Sequence, residues 1–159
     1  MIGQRPRREV HALGLRHRAV HLLVVNRAGK VFLHLRSRTK DLFPGVWDSS
    51  AAGHVGAGED YDGTAARELE EELGCRPERP PQPLFKIAAR PETGDEFVWV
   101  YRVAAEGPFV LQPDEIERGD WFAPEEIDRW LVERPQELAP ALIYLWPLAR
   151  KWLGRPTES

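Results

Sequence analysis

Three glutamates stand close together in one short segment of the chain. Glu68, Glu71 and Glu72 occupy positions i, i+3 and i+4 of the stretch ARELEEELG. On a helix these positions share one face, with side-chain roots roughly 5–6 Å apart. Like charges at this spacing repel one another and raise one another's pKa values. A compensating group is therefore expected beside them.

A divalent cation is the compensating group that this chemistry favours. Hard cations take carboxylate oxygens, and Mg²⁺ typically combines a few carboxylates with waters and substrate phosphates. The cluster therefore indicates a Mg²⁺ or Mn²⁺ site that a phosphate ligand completes. On charge alone, a solvated acidic helix face is the alternative. Arg67 can form a salt bridge with Glu59 ahead of the helix, or with Glu71 one turn on.

The residues around the cluster predict a helix from Asp60 to Gly74. Asp60 or Asp62 can cap its N-terminus, where acidic groups also favour the positive end of the helix dipole. Gly74 stands where a C′ glycine belongs, and Pro77 prevents continuation. An apolar stripe at helical spacing predicts that one side faces the core: Ala65, Ala66, Leu69 and Leu73.

Strands surround this helix. The stretches AVHLLVV and VFLHLR, separated by NRAGK, predict a hairpin, and PLFKIAAR and EFVWVYRV predict two more strands. GDWFAPEEIDRWLVER predicts a short strand and then a helix. The last apolar stretch, PALIYLWPLARKWLG, has helical spacing that Pro147 should kink or interrupt. Strands in runs, with one helix inserted and helices at the end, are typical of an α+β or mixed α/β fold.

Composition excludes several classes of protein. The 159 residues suit one domain, and a net charge of −3 gives no general basic field for nucleic acid. No apolar run approaches the ~20 residues that span a bilayer. The single cysteine, Cys75, allows no intrachain disulfide, which fits a cytoplasmic location. We expect a basic N-terminal extension over residues 1–18, one domain over 19–153, and a tail over 154–159.

The spacing of glycines, arginine and glutamates resembles the Nudix box. That signature is Gly, five residues, Glu, seven residues, Arg-Glu, an aliphatic, any residue, Glu-Glu, any residue and Gly. An aliphatic residue usually follows, and here a cysteine stands there. In this chain the matching residues are Gly53, Glu59, Arg67, Glu68, Leu69, Glu71, Glu72, Gly74 and Cys75.

The resemblance implies a Nudix fold, a mixed β-sheet between helices in an α/β/α sandwich. It also implies that Mg²⁺ or Mn²⁺ is held by a set of metal ligands: Gly53 through its carbonyl, Glu68, Glu71 and Glu72. Arg67 and Glu59 would brace the loop against the helix. The implied reaction is hydrolysis of a pyrophosphate bond in a nucleoside diphosphate linked to another moiety, by water attack at phosphorus. Arg67 would assist, and Glu71 or Glu72 is the box residue favoured as base.

Family members often add an acidic residue from outside the box, and basic residues must meet the phosphates. The candidate acids are Glu96, Glu115 and Glu117, of which the two on the loop rank above Glu96. The candidate phosphate-binding residues follow the second strand: Arg36, Arg38 and Lys40. Each of these residues is also explained as a solvated surface charge.

The flanks, including FPGVWDSSAAGHV, resemble the branch of the superfamily that contains isopentenyl diphosphate isomerase. That enzyme needs a cysteine just before the Gly-His pair, and Ala52 stands there. The isomerase chemistry is therefore expected to be absent, and His54, as a lone histidine, to be structural. An isomerase and a non-catalytic nucleotide-binding module are kept as alternatives. The expected partner is a small diphosphate, a nucleotide derivative, and a homodimer is left open.

Overall fold

The structure is a computed structural model that describes residues 17–39 and 44–153. Three of the sequence predictions fall wholly or mainly outside these ranges. Lys40 is one of them, residues 1–16 of the basic extension are another, and the tail over 154–159 is the third. The domain boundaries accordingly stay predictions.

Seven strands form one sheet in the described part of the chain. The path across it is β3-β2-β1-β6-β5, with β4 also paired to β1 and β7 to β2. The bounds are β1 His17–Val25, β2 Val31–Arg36, β3 Trp47–Asp48, β4 Ala51–His54, β5 Gln82–Ile87, β6 Glu96–Ala104 and β7 Ile116–Phe122. The sheet is mixed, because β1 runs parallel to β6 and the other pairs are antiparallel.

Strand β1 lies at the centre of this sheet. One edge pairs with β6 along its whole length. The other edge pairs with β2 only at Val24 and Val25, and with β4 from Ala19 to Leu22. The predicted hairpin is thus present but short, and β1 places His21 directly opposite Ala52 of β4.

Three α-helices cover the sheet over the described residues. They are α1 Tyr61–Leu73, α2 Pro124–Glu133 and α3 Pro140–Ala149, accompanied by 3₁₀ turns at Pro91–Thr93, Pro135–Glu137 and Arg150–Trp152. Alternate residues of β1 join two separate apolar clusters, because successive strand side chains point to opposite faces. One cluster includes α1, and the other includes α2 and α3. The predicted sheet between helices is confirmed.

Helix α1 begins and ends as the sequence predicts. Asp60 is the N-cap, and its side chain accepts from the backbone N–H of Gly63 at 2.6 Å. Gly74 takes the left-handed conformation at φ +61°, and its N–H bonds to the carbonyl of Glu70. The carbonyls of Glu72 and Leu73 accept at 2.9 Å each from the N–H groups of Gln112 and Val110 respectively. The 110–112 segment is therefore attached to the end of α1.

Of the two effects expected of Pro147, an interruption of the last helix is wrong, because α3 continues to Ala149, and a kink stays a prediction. Pro147 stands near the end of the helix, where the missing N–H removes one bond to the carbonyl of Ile143. Leu142, Leu145 and Trp146 are buried against the sheet and hold the helix in place. Across the described ranges, no helix combines the length and the apolar character needed to span a membrane.

Candidate active site

A cleft of about 780 Å³ opens between α1, the strands β1 and β4, the Pro91–Thr93 turn and the first turn of α3. Its charged lining is mostly acidic. The carboxylates are Asp48, Glu68, Glu71, Glu72, Glu92, Glu96 and Glu115, and the basic side chains are His21, Arg36, His54 and Arg67. A substrate with several negative charges would need cations to enter such a cleft.

Gly53 and Glu68 fit directly against each other. A β-carbon built on Gly53 would lie 2.2 Å from Cδ of Glu68, well inside contact distance. The Glu68 side chain therefore occupies the space that the missing side chain of Gly53 leaves on β4. The contact places the Glu68 carboxylate beside the Gly53 backbone, and both residues line the cleft.

Glu72 lies one turn further along α1 and is buried. Burial, the hydrogen bond to Glu68 and the charge of Glu68 together raise the pKa of its carboxyl to about 9, and burial is the largest of the three causes. The backbone N–H of Ala52, 3.4 Å from Glu72 Oε1, acts in the opposite sense. Two carboxylates held this way share a proton unless a cation replaces it.

Arg67 connects the three acidic groups around it. Its Nη1 lies 2.9 Å from Glu68 Oε2 and 3.2 Å from Glu71 Oε1, and its Nη2 lies 3.3 Å from Glu59 Oε1. Glu59 Oε1 also accepts from the backbone N–H of Gly56 at 2.6 Å. Arg67 and Glu59 thus lie where they tie the loop before α1 to the helix.

The carboxylates lie close together, but they are not arranged around a single metal position. Within residues 17–39 and 44–153, no three His, Cys, Asp or Glu side chains are already arranged around one metal position. Glu68 and Glu72 bond each other, and Glu71, with 56% of its side chain exposed, bonds Arg67. The donor set consists of oxygens with excess negative charge, which matches the ligands that a hard divalent cation prefers.

The three candidate acids outside the box separate in space. Glu96 and Glu115 line the cleft, and Glu117 does not. Glu117 instead forms an ion pair with Arg38 at 3.3 Å. Glu96 thus lies closer to the acidic cluster than the sequence ranking implies, and the identity of the additional acid stays a prediction. Glu115 belongs to a turn closed onto Gln112, whereas Glu117 already lies on the edge strand β7.

The candidate phosphate-binding residues separate in the same way. Arg36 lines the cleft and lies 3.7 Å from Asp48 Oδ2. Arg38 is not among the lining residues, and 78% of its side chain is exposed beside Glu117. Since Lys40 is outside the described residues, Arg36 is the member of this group that the structure brings to the cleft.

Two histidines reach the cleft, and sequence reasoning missed both as site residues. His54, expected to be structural, has 62% of its side chain exposed in the cleft and contacts the carboxylate of Glu96 through Nε2. His21 is buried in β1 and lines the cleft as well. The sequence feature that could have identified His21 as a site residue is its polar side chain within the otherwise apolar stretch AVHLLVV.

The position of the isomerase cysteine is also part of this cleft. Ala52 lies there with no acid or base of its own. Cys75 is buried with Leu69 and Leu73 in the apolar cluster beneath α1 and is not a lining residue. The cleft lining therefore contains no thiol.

Comparison with known proteins agrees with this geometry. A model of the NUDIX domain matches residues 15–142. Uncharacterised Nudix hydrolases of Yersinia pestis and Streptomyces coelicolor are each 36% identical to the chain. The alignments span 100% and 97% of this chain and 83% and 84% of the relatives.

Two solved structures are similar in fold. A protein from Deinococcus radiodurans has a TM-score of 0.76 at 28% identity, over 84% of this chain and 82% of that one. A NUDIX domain from Shewanella oneidensis in complex with ADP-ribose has a TM-score of 0.66 at 16% identity, over 93% of this chain and 99% of that one. The matched residues include the whole glutamate-bearing segment, and the chain belongs to the NUDIX domain family as one of its hydrolases.

Proposed function

We propose that this protein hydrolyses the pyrophosphate bond of a nucleoside diphosphate linked to another moiety, or of a related diphosphate, with the help of Mg²⁺ or Mn²⁺. The observation that carries the proposal is the contact of Glu68 with Gly53 next to the buried carboxyl of Glu72, all facing one open cleft. Carboxylates at this spacing are costly to a helix unless a cation offsets them.

The residues present fit a divalent cation. A carboxyl whose pKa lies near 9 readily exchanges its proton for a metal ion, and Gly53 lines the same cleft beside Glu68. Glu68, Glu71, Glu72 and the carbonyl of Gly53 would hold the ion. When bound, such an ion neutralises phosphate oxygens and lowers the pKa of a water molecule.

The chain's own residues supply binding and proton transfer. Arg67 forms ion pairs with Glu68 and Glu71 and so holds both carboxylates at the cleft. Water adds to one phosphorus, the bond from that phosphorus to the bridging oxygen breaks, and the second phosphate leaves with the bridging oxygen. A carboxylate takes the proton of the water. Glu71, Glu72, Glu96 and Glu115 are the candidates, since all four face the cleft.

Two features support a nucleotide derivative as substrate. The cleft volume of about 780 Å³ is within the range of pockets that enclose ligands of this size. The similar domain from Shewanella oneidensis binds ADP-ribose, which has the required linkage. Arg36 is suited to a phosphate oxygen at the side of the cleft next to Asp48.

The test is phosphate or monophosphate release from a panel of diphosphates with Mg²⁺. The panel contains ADP-ribose, a nucleotide sugar, a nucleoside diphosphate and isopentenyl diphosphate. We expect Glu68→Gln and Glu72→Gln each to reduce kcat by about 10²-fold or more on the preferred member. Glu70→Gln is the matched control, because Glu70 is on the same helix, pairs with Arg76 and does not line the cleft.

Three outcomes would overturn the proposal. These are no release from any member, release without a divalent ion, or release unchanged in both glutamine variants. Formation of dimethylallyl diphosphate from isopentenyl diphosphate would instead revive the isomerase alternative. Binding of nucleotides with no turnover in any metal would favour the non-catalytic module.

A further inference from the structure

His21 is a buried polar side chain at the centre of the sheet. It stands in the apolar stretch AVHLLVV of β1, and only 7% of the residue is exposed. Its exposed part faces the cleft, where it is a lining residue. A polar ring in this position costs stability unless its nitrogens find partners. The arrangement of those partners determines what the ring can do.

Ser49 and Asp48 fix the ring through Nδ1. Nδ1 lies 2.8 Å from Ser49 Oγ and 3.9 Å from Asp48 Oδ1. Ser49 Oγ is also 3.4 Å from the carbonyl oxygen of Ala51, which can only accept. A hydroxyl has one proton, so when Ser49 donates to Ala51 it accepts from His21. We assign the proton of the neutral imidazole to Nδ1, because Ser49 can then donate to Ala51 and because the carboxylate of Asp48 lies on the Nδ1 side of the ring.

The other ring nitrogen, Nε2, is then an acceptor with a lone pair. Burial lowers the pKa of His21 and outweighs Asp48, which raises it, so the neutral ring is favoured. For the part of the chain that the structure describes, Ser49 is the ring's hydrogen-bond partner, and that bond is made through Nδ1. Nε2 thus brings an acceptor to the cleft that the protein itself leaves open.

We propose that His21 is a specificity-determining residue whose Nε2 accepts a hydrogen bond from a hydroxyl or amino group of the substrate's non-phosphate part. This inference rests on the proposed function, because it concerns the same cleft. An ionised phosphate has no proton to donate, and its oxygens repel a nitrogen lone pair. Arg36, close to the same Asp48, is the group suited to phosphate, and His21 is suited to a donor beside it.

A site built to accept from a substrate donor discriminates against compounds that lack it, because its own polar group is then left unpaired. Removing Nε2 should therefore weaken the binding of substrates that carry such a donor. The binding of a diphosphate without a donor should not change. The probes are ADP-ribose and UDP-glucose, which carry several hydroxyls, and P¹,P²-dimethyl pyrophosphate, which carries the anhydride without any donor.

The experiment compares His21→Leu, His21→Gln and His34→Leu with the wild type on these probes. His34 is the matched control: it is equally buried, bonds through Nδ1 to the carbonyl of Ser50 at 3.1 Å, and is not a lining residue. For His21→Leu we expect kcat/KM on at least one donor-bearing probe to fall about tenfold, mainly through KM. On dimethyl pyrophosphate the change should stay within about twofold. His21→Gln should recover part of the loss, since an amide oxygen accepts.

Equal effects of His21→Leu on all probes, or none on any, would overturn the inference. So would a reduced affinity for Mg²⁺ that accounts for the whole loss. His34→Leu should lower Tm without changing the ratio between probes. A change in that ratio equal to the one for His21→Leu would also count against the assignment.

Failure of the inference can be told from failure of the proposed function. If no probe is hydrolysed, the dissociation constants of the same probes are measured with Ca²⁺ for the same variants. The inference then requires that His21→Leu weakens binding of a donor-bearing probe more than binding of dimethyl pyrophosphate. The ¹⁵N resonances of His21 in the free protein give a test without any ligand. We expect Nε2 unprotonated in the wild type, and the preference to be lost in Ser49→Ala. A protonated Nε2 in the wild type would overturn the inference directly.

Discussion

Glu68 occupies the space that a side chain at Gly53 would need. The β-carbon of an alanine there would lie 2.2 Å from Cδ and 2.5 Å from Oε2 of Glu68. The carboxylate at the start of the acidic cluster is therefore positioned by the absence of an atom on the neighbouring strand. This relationship connects two residues of the Nudix box that stand 15 positions apart in the chain.

Gly53→Ala should inactivate the enzyme while leaving it folded. Gly53 has no positive φ, so alanine is compatible with the backbone, and the flexible Glu68 side chain must move instead. We expect kcat to fall by about 10²-fold, since displacement of a positioned group by about 1 Å costs that much. Steady-state kinetics and a thermal unfolding curve provide the two readouts.

The control for this prediction is a double-mutant cycle. In a Glu68→Ala background, Gly53→Ala should have little further effect on kcat, because the clash has been removed. Additive losses in the double variant would show that Gly53 acts through its backbone alone and not through Glu68.

Glu72 predicts how the metal-free protein responds to pH. Its pKa is raised from 4.5 to about 9, so the folded state holds the proton more tightly than the unfolded state does. This contribution to stability is fully present below pH 4.5 and is lost as the pH rises toward 9. With a chelator present, Glu72→Gln should become more stable than the wild type as the pH increases from 5 to 9. The difference in Tm should reach a few degrees, at roughly 2–4 °C per kcal/mol.

Adding Mg²⁺ should reduce or reverse that difference, since a cation bound at the cluster replaces the proton. A difference in Tm between the wild type and Glu72→Gln that is independent of pH, or insensitive to Mg²⁺, would contradict this account of Glu72.

The buried histidines predict the opposite response on the acid side. Burial lowers the pKa of His21 and of His34 from 6.5. Their contribution to stability is present above pH 6.5 and is lost as the pH falls through their folded-state pKa values. In a Glu72→Gln background, which removes the opposing titration, the free energy of unfolding should fall below pH 6.5 by at most ~1.4 kcal/mol per histidine per pH unit. Urea unfolding between pH 7.5 and 5 measures this slope.

Replacing one of these histidines should reduce the dependence of the unfolding free energy on pH below pH 6.5. We expect His34→Gln to show a smaller slope than its parent over the same range. The slope would stay the same if surface histidines, rather than the buried ones, were responsible.

The effect on kcat of replacing each candidate acid outside the box should depend on whether that acid lines the cleft. Glu96→Gln and Glu115→Gln remove carboxylates that line the cleft, and at least one of them should lower kcat by about 10-fold or more. Glu117→Gln removes a carboxylate that pairs with Arg38 away from the cleft, and its kcat should stay within about twofold of wild type. A loss of kcat in Glu117→Gln that exceeds the losses in both other variants would contradict the placement of these three side chains.

The sequence was sufficient for the parts that depend on local pattern. The limits of α1 follow from Asp60 and Gly74, whose capping chemistry is local, and the Nudix signature identified the family from its spacing. The mixed sheet between helices followed from that resemblance together with the order of elements.

The sequence was less informative about positions that depend on contacts between distant parts of the chain. Glu115 and Glu117 differ by two positions, yet only the first lines the cleft, because the 110–112 segment is attached to the end of α1. His21 looks like one more strand residue until β4 brings the partners of its ring to it. Pro147 was expected to kink or interrupt the last helix, and that helix continues past it to Ala149.

The attachment of Val110 and Gln112 to the last carbonyls of α1 has a consequence for how loops can diverge. Residues added between Ala104 and Val110 would extend into solvent upstream of the anchor, and Glu115 would keep its place. Residues added between Gln112 and Glu115 would lie downstream of the anchor and carry the carboxylate out of the cleft. The anchor thus separates a stretch of chain that is free to vary in length from one whose length is tied to the chemistry.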